Sequence, residues 1–300
     1  MSGLFAVVLV DKPVGPSSHD VVVAVRRSLG ERRIGHTGTL DPFASGLLLL
    51  CVGHATRLVE YFHLLPKTYA ATIRFGEGRD TDDHTGEVVA TSSGWENLAG
   101  ADLEEALAAD LGATSQRPPD YSALKRGGER AYEAARRGEP LALEERPIEV
   151  TEARLLSWEP PDATVLYTVS TGTYIRALAR DLGDRLRTHA HLAGLRRTKI
   201  GPFDVEAAAS PEAAAPDGTG WMTPLGALAW LPQRQLDESE QVDIGHGRGV
   251  AALGVSAPPQ PQPGLDGDLP VVLHDGAGGL TAVARREDGV LRPMKVFHAP

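Results

Sequence analysis

Cysteine is almost absent from this sequence of 300 residues: Cys51 is the one copy. No internal disulfide and no cysteine-based zinc cluster can therefore form, and its position within an apolar run reads as a buried core thiol. Long apolar runs are missing as well. Leu47–Val52 and Leu4–Val10 fall far short of the ~20 residues that a membrane helix needs, and the second is shorter than a secretory signal core and lacks a basic flank. No membrane association is expected, and the expected compartment is the cytoplasm. Metal-ligand spacing is lacking too: His19 and His54 lie 17 and 18 residues from His36 in different expected elements, and no His-x-x-x-His pattern with a helping carboxylate occurs. No segment repeats with a period of about 20–50 residues.

What is present is a globular composition, 42% hydrophobic and 23% charged, which excludes disorder as the main state. The length fits two domains of unequal size. The net charge of −10 argues against a surface coated with nucleic acid, yet the charge is regional. Residues 171–201 hold seven basic and two acidic side chains, whereas 81–120 hold one basic and nine acidic. Such a chain can bind RNA on one basic face while its acidic faces keep it soluble.

Periodicity predicts a buried strand over Phe5–Val10, ending at Asp11-Lys12-Pro13, then a helix capped by Ser17 or Ser18 with Val21, Val22, Val25 and Leu29 on one face before Gly30. Arg33–Ala44, with Gly35, Gly38 and Pro42, reads as a polar loop ahead of an apolar strand Gly46–Val52 and an amphipathic segment His54–Leu65. Further strands are expected at Tyr69–Phe75, Glu87–Thr91, Ile148–Leu156 and Thr164–Val169, and helices at Leu103–Leu111 and Tyr174–Leu186. Ala207–Ala215 reads as connector. After Trp230 come a Pro-rich run over 257–264 and short β-like pieces at Leu269–Leu273, Leu280–Ala284 and Lys295–Phe297. The interleaving points to an α/β chain of α+β type without a regular βαβ repeat. Its expected domains are 1–235 and a small β-rich domain over 236–300.

The most informative segment is Gly35-His36-Thr37-Gly38-Thr39-Leu40-Asp41-Pro42-Phe43-Ala44-Ser45-Gly46, a glycine-punctuated loop presenting one carboxylate just ahead of a buried strand. An isolated Asp-Pro is usually a turn whose carboxylate caps backbone amides. The phosphorylated-Asp loop of P-type ATPases is a nearby pattern, but His36 stands at the start of the comparable run and membrane helices are lacking. Asp80-Thr81-Asp82-Asp83-His84 has a metal-loop look, yet it lacks the glycine and terminal glutamate of a calcium loop and reads as an Asx-rich turn in the acidic surface.

The loop resembles the catalytic motif of pseudouridine synthases, and in detail that of the TruB family of bacterial tRNA pseudouridine-55 synthases. Leu9-Val10-Asp11-Lys12-Pro13-Val14-Gly15-Pro16-Ser17-Ser18 is similar to the family's opening motif and Lys67-Thr68-Tyr69-Ala70-Ala71 to its tyrosine-bearing one. Tyr121-Ser122-Ala123-Leu124-Lys125 matches another family segment, and Gly172-Thr173-Tyr174-Ile175-Arg176 followed by Leu195-Arg196-Arg197 matches the third motif. Five matches in the family's order span about residues 4–200. Thr171 stands where many members have Lys.

The resemblance implies a pseudouridine synthase fold with a mixed, mainly antiparallel central sheet and a PUA-like RNA-binding domain over 236–300. It implies isomerisation of the T-loop uridine 55 of tRNA, on a flipped-out base and without cofactor or metal, by a monomer with no obligatory protein partner. Asp41 is implied as the catalytic carboxylate. Attack at C1′, attack at C6 and proton abstraction from the ribose all remain open for it. Arg176 is implied to pair with Asp41, Tyr69 to stack on the uracil, Tyr174 and Leu195 to line its pocket, and His36 to fill the vacated stack. Lys12, Lys125, Arg196, Arg197 and Lys199 are the candidate phosphate contacts. Archaeal and eukaryotic relatives act instead with guide RNAs and protein partners, and an RNA-folding chaperone is the reading from a different class.

Overall fold

The structure, a computed structural model, describes residues 3–297 other than Ala123, Pro263, Gly264 and Asp266. Ala123 of the Tyr121–Lys125 segment and the end of the Pro-rich run lie outside the described residues. The chain forms two compact units, one combining the residues up to Leu65 with those from Lys199 on, the other spanning Pro66–Thr198.

In the first unit, strand Phe5–Lys12 pairs antiparallel with Ser45–Gly53, from Phe5 opposite Gly53 to Lys12 opposite Gly46. Both strands are continuously apolar because both faces are covered. Val7, Leu9, Leu47, Leu49 and Cys51 enter one core with Leu58, Phe62, Trp230 and Phe297, while Val8, Val10, Leu48, Leu50 and Val52 meet Val21, Val22 and Val25 of helix Ser18–Leu29. Each such side chain stabilises by about 1.5–3 kcal/mol when fully buried. The helix starts at a capping box, in which the Ser17 hydroxyl accepts the Asp20 N–H and the Asp20 carboxylate accepts the Ser17 N–H. It stops at Gly30, which takes the left-handed conformation at φ 63°.

Two expectations are corrected here. The loop expected over Arg33–Ala44 begins as a strand, since Ile34–His36 pairs with Ser45–Gly53, His36 opposite Leu50. The stretch expected as connector runs along strand Phe5–Lys12: the Asp11 N–H donates to the Ala209 carbonyl at 2.8 Å, and the Ala209 N–H donates to the Leu9 carbonyl at 3.0 Å. An Ala- and Pro-rich stretch carries no periodicity to signal such edge pairing.

The same unit holds a five-stranded sheet in the order Gln233–Gln235, Val271–His274, Leu280–Glu287, Val290–Val296, Val250–Ala251. Its alternation is that of a sheet buried on both faces. Val272 and Val283 join the core of Trp230, and Val271, Leu273, Ala282 and Ala284 join Leu236, Ile244 and Leu291.

In the second unit the strand order is Ala190–Ile200, Lys67–Phe75, Asp162–Val169, Arg146–Glu159, Gly112–Gln116. The last three pairings are antiparallel. Helices Gly100–Ala108 and Ile175–Arg185 cover the face on which Ala71, Ile73, Val165 and Tyr167 are buried. No expected element covers Ala190–Ile200, the strand that carries Leu195, Arg196 and Arg197. With Gly194 and three cations among its residues, it shows neither a helical nor a strand period.

Candidate functional site

Asp41 follows the short strand Ile34–His36 and precedes strand Ser45–Gly53, both pinned into the first unit by pairing. The loop between them is held from inside. The Lys12 side chain is completely buried, and its ammonium donates to the carbonyls of Ala44 at 2.6 Å, Pro13 at 3.0 Å and Pro42 at 3.3 Å. Ser18, at the start of the helix, spans both sides of Leu40: its hydroxyl donates to the Leu40 carbonyl at 3.1 Å and accepts the Leu40 N–H at 2.8 Å. The Gly15 N–H donates to the Pro42 carbonyl at 2.8 Å, and the Ala44 N–H closes a turn onto the Asp41 carbonyl at 3.0 Å. Gly38 and Gly46, at φ 151° and 107°, take backbone angles that an L side chain resists. Asp41 is thus a half-exposed carboxylate on a loop with little freedom.

His36 is half-exposed, and its Nδ1 accepts the Gly38 N–H at 3.3 Å, so a neutral ring carries its proton on Nε2. Lys12 takes a different role from the phosphate contact expected of it, because an ammonium buried against three carbonyls is a loop anchor.

In the second unit, Tyr69 lies on strand Lys67–Phe75 directly opposite Tyr167 and is half-buried. Tyr167 is fully buried, and its hydroxyl donates to Asp110, which also pairs with Arg185 at 2.7 Å. Lys67 and Arg197 are 5% and 2% exposed. Burial, with the Arg197 charge close by, pulls the Lys67 ammonium down to about 8. Arg197, also expected at phosphates, is therefore an interior cation. Leu195 and Arg196 are half-exposed on the same strand, Lys125 is exposed on a short hairpin, and Lys199 pairs with Asp204 at 3.4 Å on the surface.

Tyr174 and Arg176 sit at the start of helix Ile175–Arg185. Gln116, 3% exposed, fixes Tyr174 through both backbone groups: its amide donates to the Tyr174 carbonyl at 3.1 Å and accepts the Tyr174 N–H at 2.9 Å. Arg176, 7% exposed, donates to the Thr81 carbonyl at 3.0 Å and the Tyr121 carbonyl at 3.1 Å, with Asp83 at 3.5 Å.

The acidic run Asp80–His84 is a turn, as its residues suggest, with Asp80 and His84 exposed, but its two central carboxylates do not lie in the acidic surface. Asp82 and Asp83 are buried, and the turn bridges to Leu192 through the Leu192 N–H on the Asp82 carbonyl at 3.0 Å. Burial raises the Asp82 carboxyl to about 6, with Arg180 and Arg176 pulling the other way. Gln116 and Arg180 are not marked by the sequence, and Asp82 and Asp83 are marked there only as part of a turn. The contacts that give them a place in the site are long-range: Gln116 with Tyr174, Asp82 with Arg180 and Asp83 with Arg176. Among the described residues no group of three or more His, Cys, Asp or Glu side chains is arranged to hold a metal ion, and no helix is long and apolar enough to cross a membrane.

Comparison with known proteins adds a family. Residues 26–175 match the N-terminal domain of the TruB family of pseudouridylate synthases, and residues 176–213 match the tRNA pseudouridylate synthase B C-terminal domain. A protein of Arthrobacter sp. (strain FB24) named tRNA pseudouridine synthase B is 41% identical, over 99% of this chain and 97% of its own. One of the same name from Parasynechococcus marenigrum (strain WH8102) is 42% identical, over 100% and 99%. Among solved structures, a chain of a Cbf5-Nop10-Gar1 complex superposes with a TM-score of 0.73 at 26% identity, over 98% of this chain and 85% of that one. With the motif loop in this order and matches along nearly its whole length, the chain belongs to the TruB family of pseudouridylate synthases.

Proposed function

We propose that this chain converts uridine 55, in the T-loop of tRNA, to pseudouridine, with Asp41 as the catalytic carboxylate. The observation that carries this reading is the Asp41 loop: a half-exposed carboxylate on backbone immobilised by Lys12 and Ser18, in a chain whose relatives bear the name tRNA pseudouridine synthase B.

The reaction breaks the N1–C1′ bond of the nucleotide and forms a C5–C1′ bond; C5 loses a proton and N1 gains one. Substrate and product are isomers, so no redox cofactor is required. A fixed carboxylate suits each of the three openings, attack at C1′, attack at C6 or removal of a ribose proton. We assign His36 to the space left by the flipped base, Tyr69 to stacking on the uracil, Tyr174 and Leu195 to its apolar walls, and Arg176 to the counter-charge. Unstacking costs a few kcal/mol, and base–aromatic stacking returns about 1–3 kcal/mol. Phosphate contacts must supply more, and exposed Lys125, half-exposed Arg196 and surface Lys199 are suited to them. The protein acts alone, as a cytoplasmic monomer, and residues 236–300 form a PUA-like arm on the RNA.

The test maps pseudouridine at single-nucleotide resolution in an unmodified tRNA transcript incubated with the protein, beside a transcript carrying cytidine at position 55. Product at that uridine alone is expected. Asp41→Asn is expected to give no product while tRNA affinity stays within about tenfold. Loss of binding together with product would make Asp41 structural. Product at another uridine would overturn the substrate assignment, and tight, salt-sensitive binding without product would favour an RNA chaperone.

A further inference from the structure

Helix Ile175–Arg185 presents two arginines one turn apart, Arg176 and Arg180, and residues so spaced share a helix face. Both bridge the same two stretches of irregular backbone. Arg176 reaches the Thr81 carbonyl and Asp83 in one stretch and the Tyr121 carbonyl in the other. Arg180 repeats the pattern: Nη1 donates to Asp82 Oδ2 at 2.8 Å and Nη2 to the Arg117 carbonyl at 2.9 Å, while Nε donates to Asp181 at 2.9 Å. Asp82 stands between two of the groups that hold Arg176, is 9% exposed and takes φ 59°. Residues 80–84 form a turn, and residues 117–121 belong to no helix or strand. The acceptors of Arg176 are therefore fixed only as well as these segments are.

We propose that Arg180, acting through Asp82 and the Arg117 carbonyl, is a positioning residue for Arg176. Arg180 clamps residues 80–84 and 117–121 against the helix and so sets where the Arg176 guanidinium stands. A guanidinium suits this task because its planar fork donates in several directions at once, whereas an ammonium is a point charge that cannot span the same two acceptors. The inference rests on the counter-charge role proposed for Arg176 above. Misplacement of a reacting geometry by about 1 Å can cost about a hundredfold in rate, so a clamp outside the site has leverage on catalysis without touching RNA.

The test compares wild type with Arg180→Met, Arg180→Lys and Asp82→Asn in three measurements: single-turnover pseudouridine formation at saturating protein, tRNA affinity, and amide hydrogen exchange. Arg180→Met is expected to lower the single-turnover rate about tenfold or more while tRNA affinity stays within about threefold, the split expected of lost geometry rather than lost binding. Exchange is expected to quicken in residues 80–84 and 117–122 and nowhere else. Arg180→Lys is expected to recover part of the rate by restoring the charge opposite Asp82, and Asp82→Asn to fall between wild type and Arg180→Met. If Arg180→Met does not fold, the Lys and Asn variants carry the same comparison. Folded variants with wild-type rates and wild-type exchange in both segments would overturn the inference. A wild-type protein that makes no pseudouridine would refute the proposed function instead, and exchange alone would then decide whether the clamp exists.

Discussion

The loop around Asp41 and the segments around Arg176 are both irregular backbone, yet they are immobilised by opposite means. In the first, one buried ammonium and one hydroxyl bond to backbone at Pro13, Pro42, Ala44 and Leu40. In the second, side chains of opposite charge meet each other as well as carbonyls: Arg176 with Asp83, Arg180 with Asp82 and Asp181. Backbone carbonyls are offered by every residue, so the first arrangement is tolerant of sequence in the loop it holds. Carboxylates do titrate and must be matched by a cation brought from far along the chain, so the second depends on both sequences at once.

The largest effect is expected at Lys12. Lys12→Met removes the ammonium bonds to the Ala44, Pro13 and Pro42 carbonyls, of which Pro42 keeps the Gly15 N–H, and should cost about 3–5 kcal/mol in denaturant unfolding, with product formation lost even where the protein remains folded. A smaller loss would mean that the loop is held chiefly by its own turns, which would remove the contrast drawn above. In the other region, Gln116→Leu leaves the Tyr174 N–H and carbonyl without their side-chain partner. About 2–3 kcal/mol of stability should be lost, and catalysis should fall more than tRNA binding does. Ser18→Ala, which removes both bonds to Leu40, should cost about 1–2 kcal/mol. A larger cost there than at Gln116 would reverse the order of the two regions.

The smallest effect concerns Lys67. Its ammonium titrates at about 8 when folded and near 10.5 when unfolded, so between these values the unfolded chain holds the extra proton. Stability linked to this group therefore rises with pH across that window. Lys67→Met should lack the rise, seen as a wild-type melting temperature that climbs relative to the variant's between about pH 8 and 10.5. Parallel curves would show that burial does not suppress the Lys67 charge.

The same contrast explains what the sequence disclosed. The Asp41 loop, its flanking strands and the helix cap at Ser17 are contiguous and carry local signals: glycines at left-handed angles, a capping box, apolar runs. What stayed hidden depends on long-range pairing. Lys12 looks like a solvated cation until the fold wraps the carbonyls of residues 42 and 44 around it. Asp82 and Asp83 look like acidic surface until Arg176 and Arg180 arrive from the helix nearly a hundred residues later. Arg197 could not be recognised as interior because its strand has no period and its neighbour Lys67 comes from another part of the chain.

The composition of the first unit also bears on how the protein is made. Strands Phe5–Lys12 and Ser45–Gly53 complete one core only with Trp230, Val272, Val283 and Phe297. At about 5–20 residues per second, the ribosome delivers those partners roughly 10–50 s after the first strand has emerged. During that interval a strand pair with two apolar faces waits with one of them covered only in part, by Leu58 and Phe62, while the intervening Pro66–Thr198 unit is synthesised and can close on itself. Nascent chains should therefore be most vulnerable to aggregation, and most dependent on chaperones, after the middle of the protein has folded and before its beginning has.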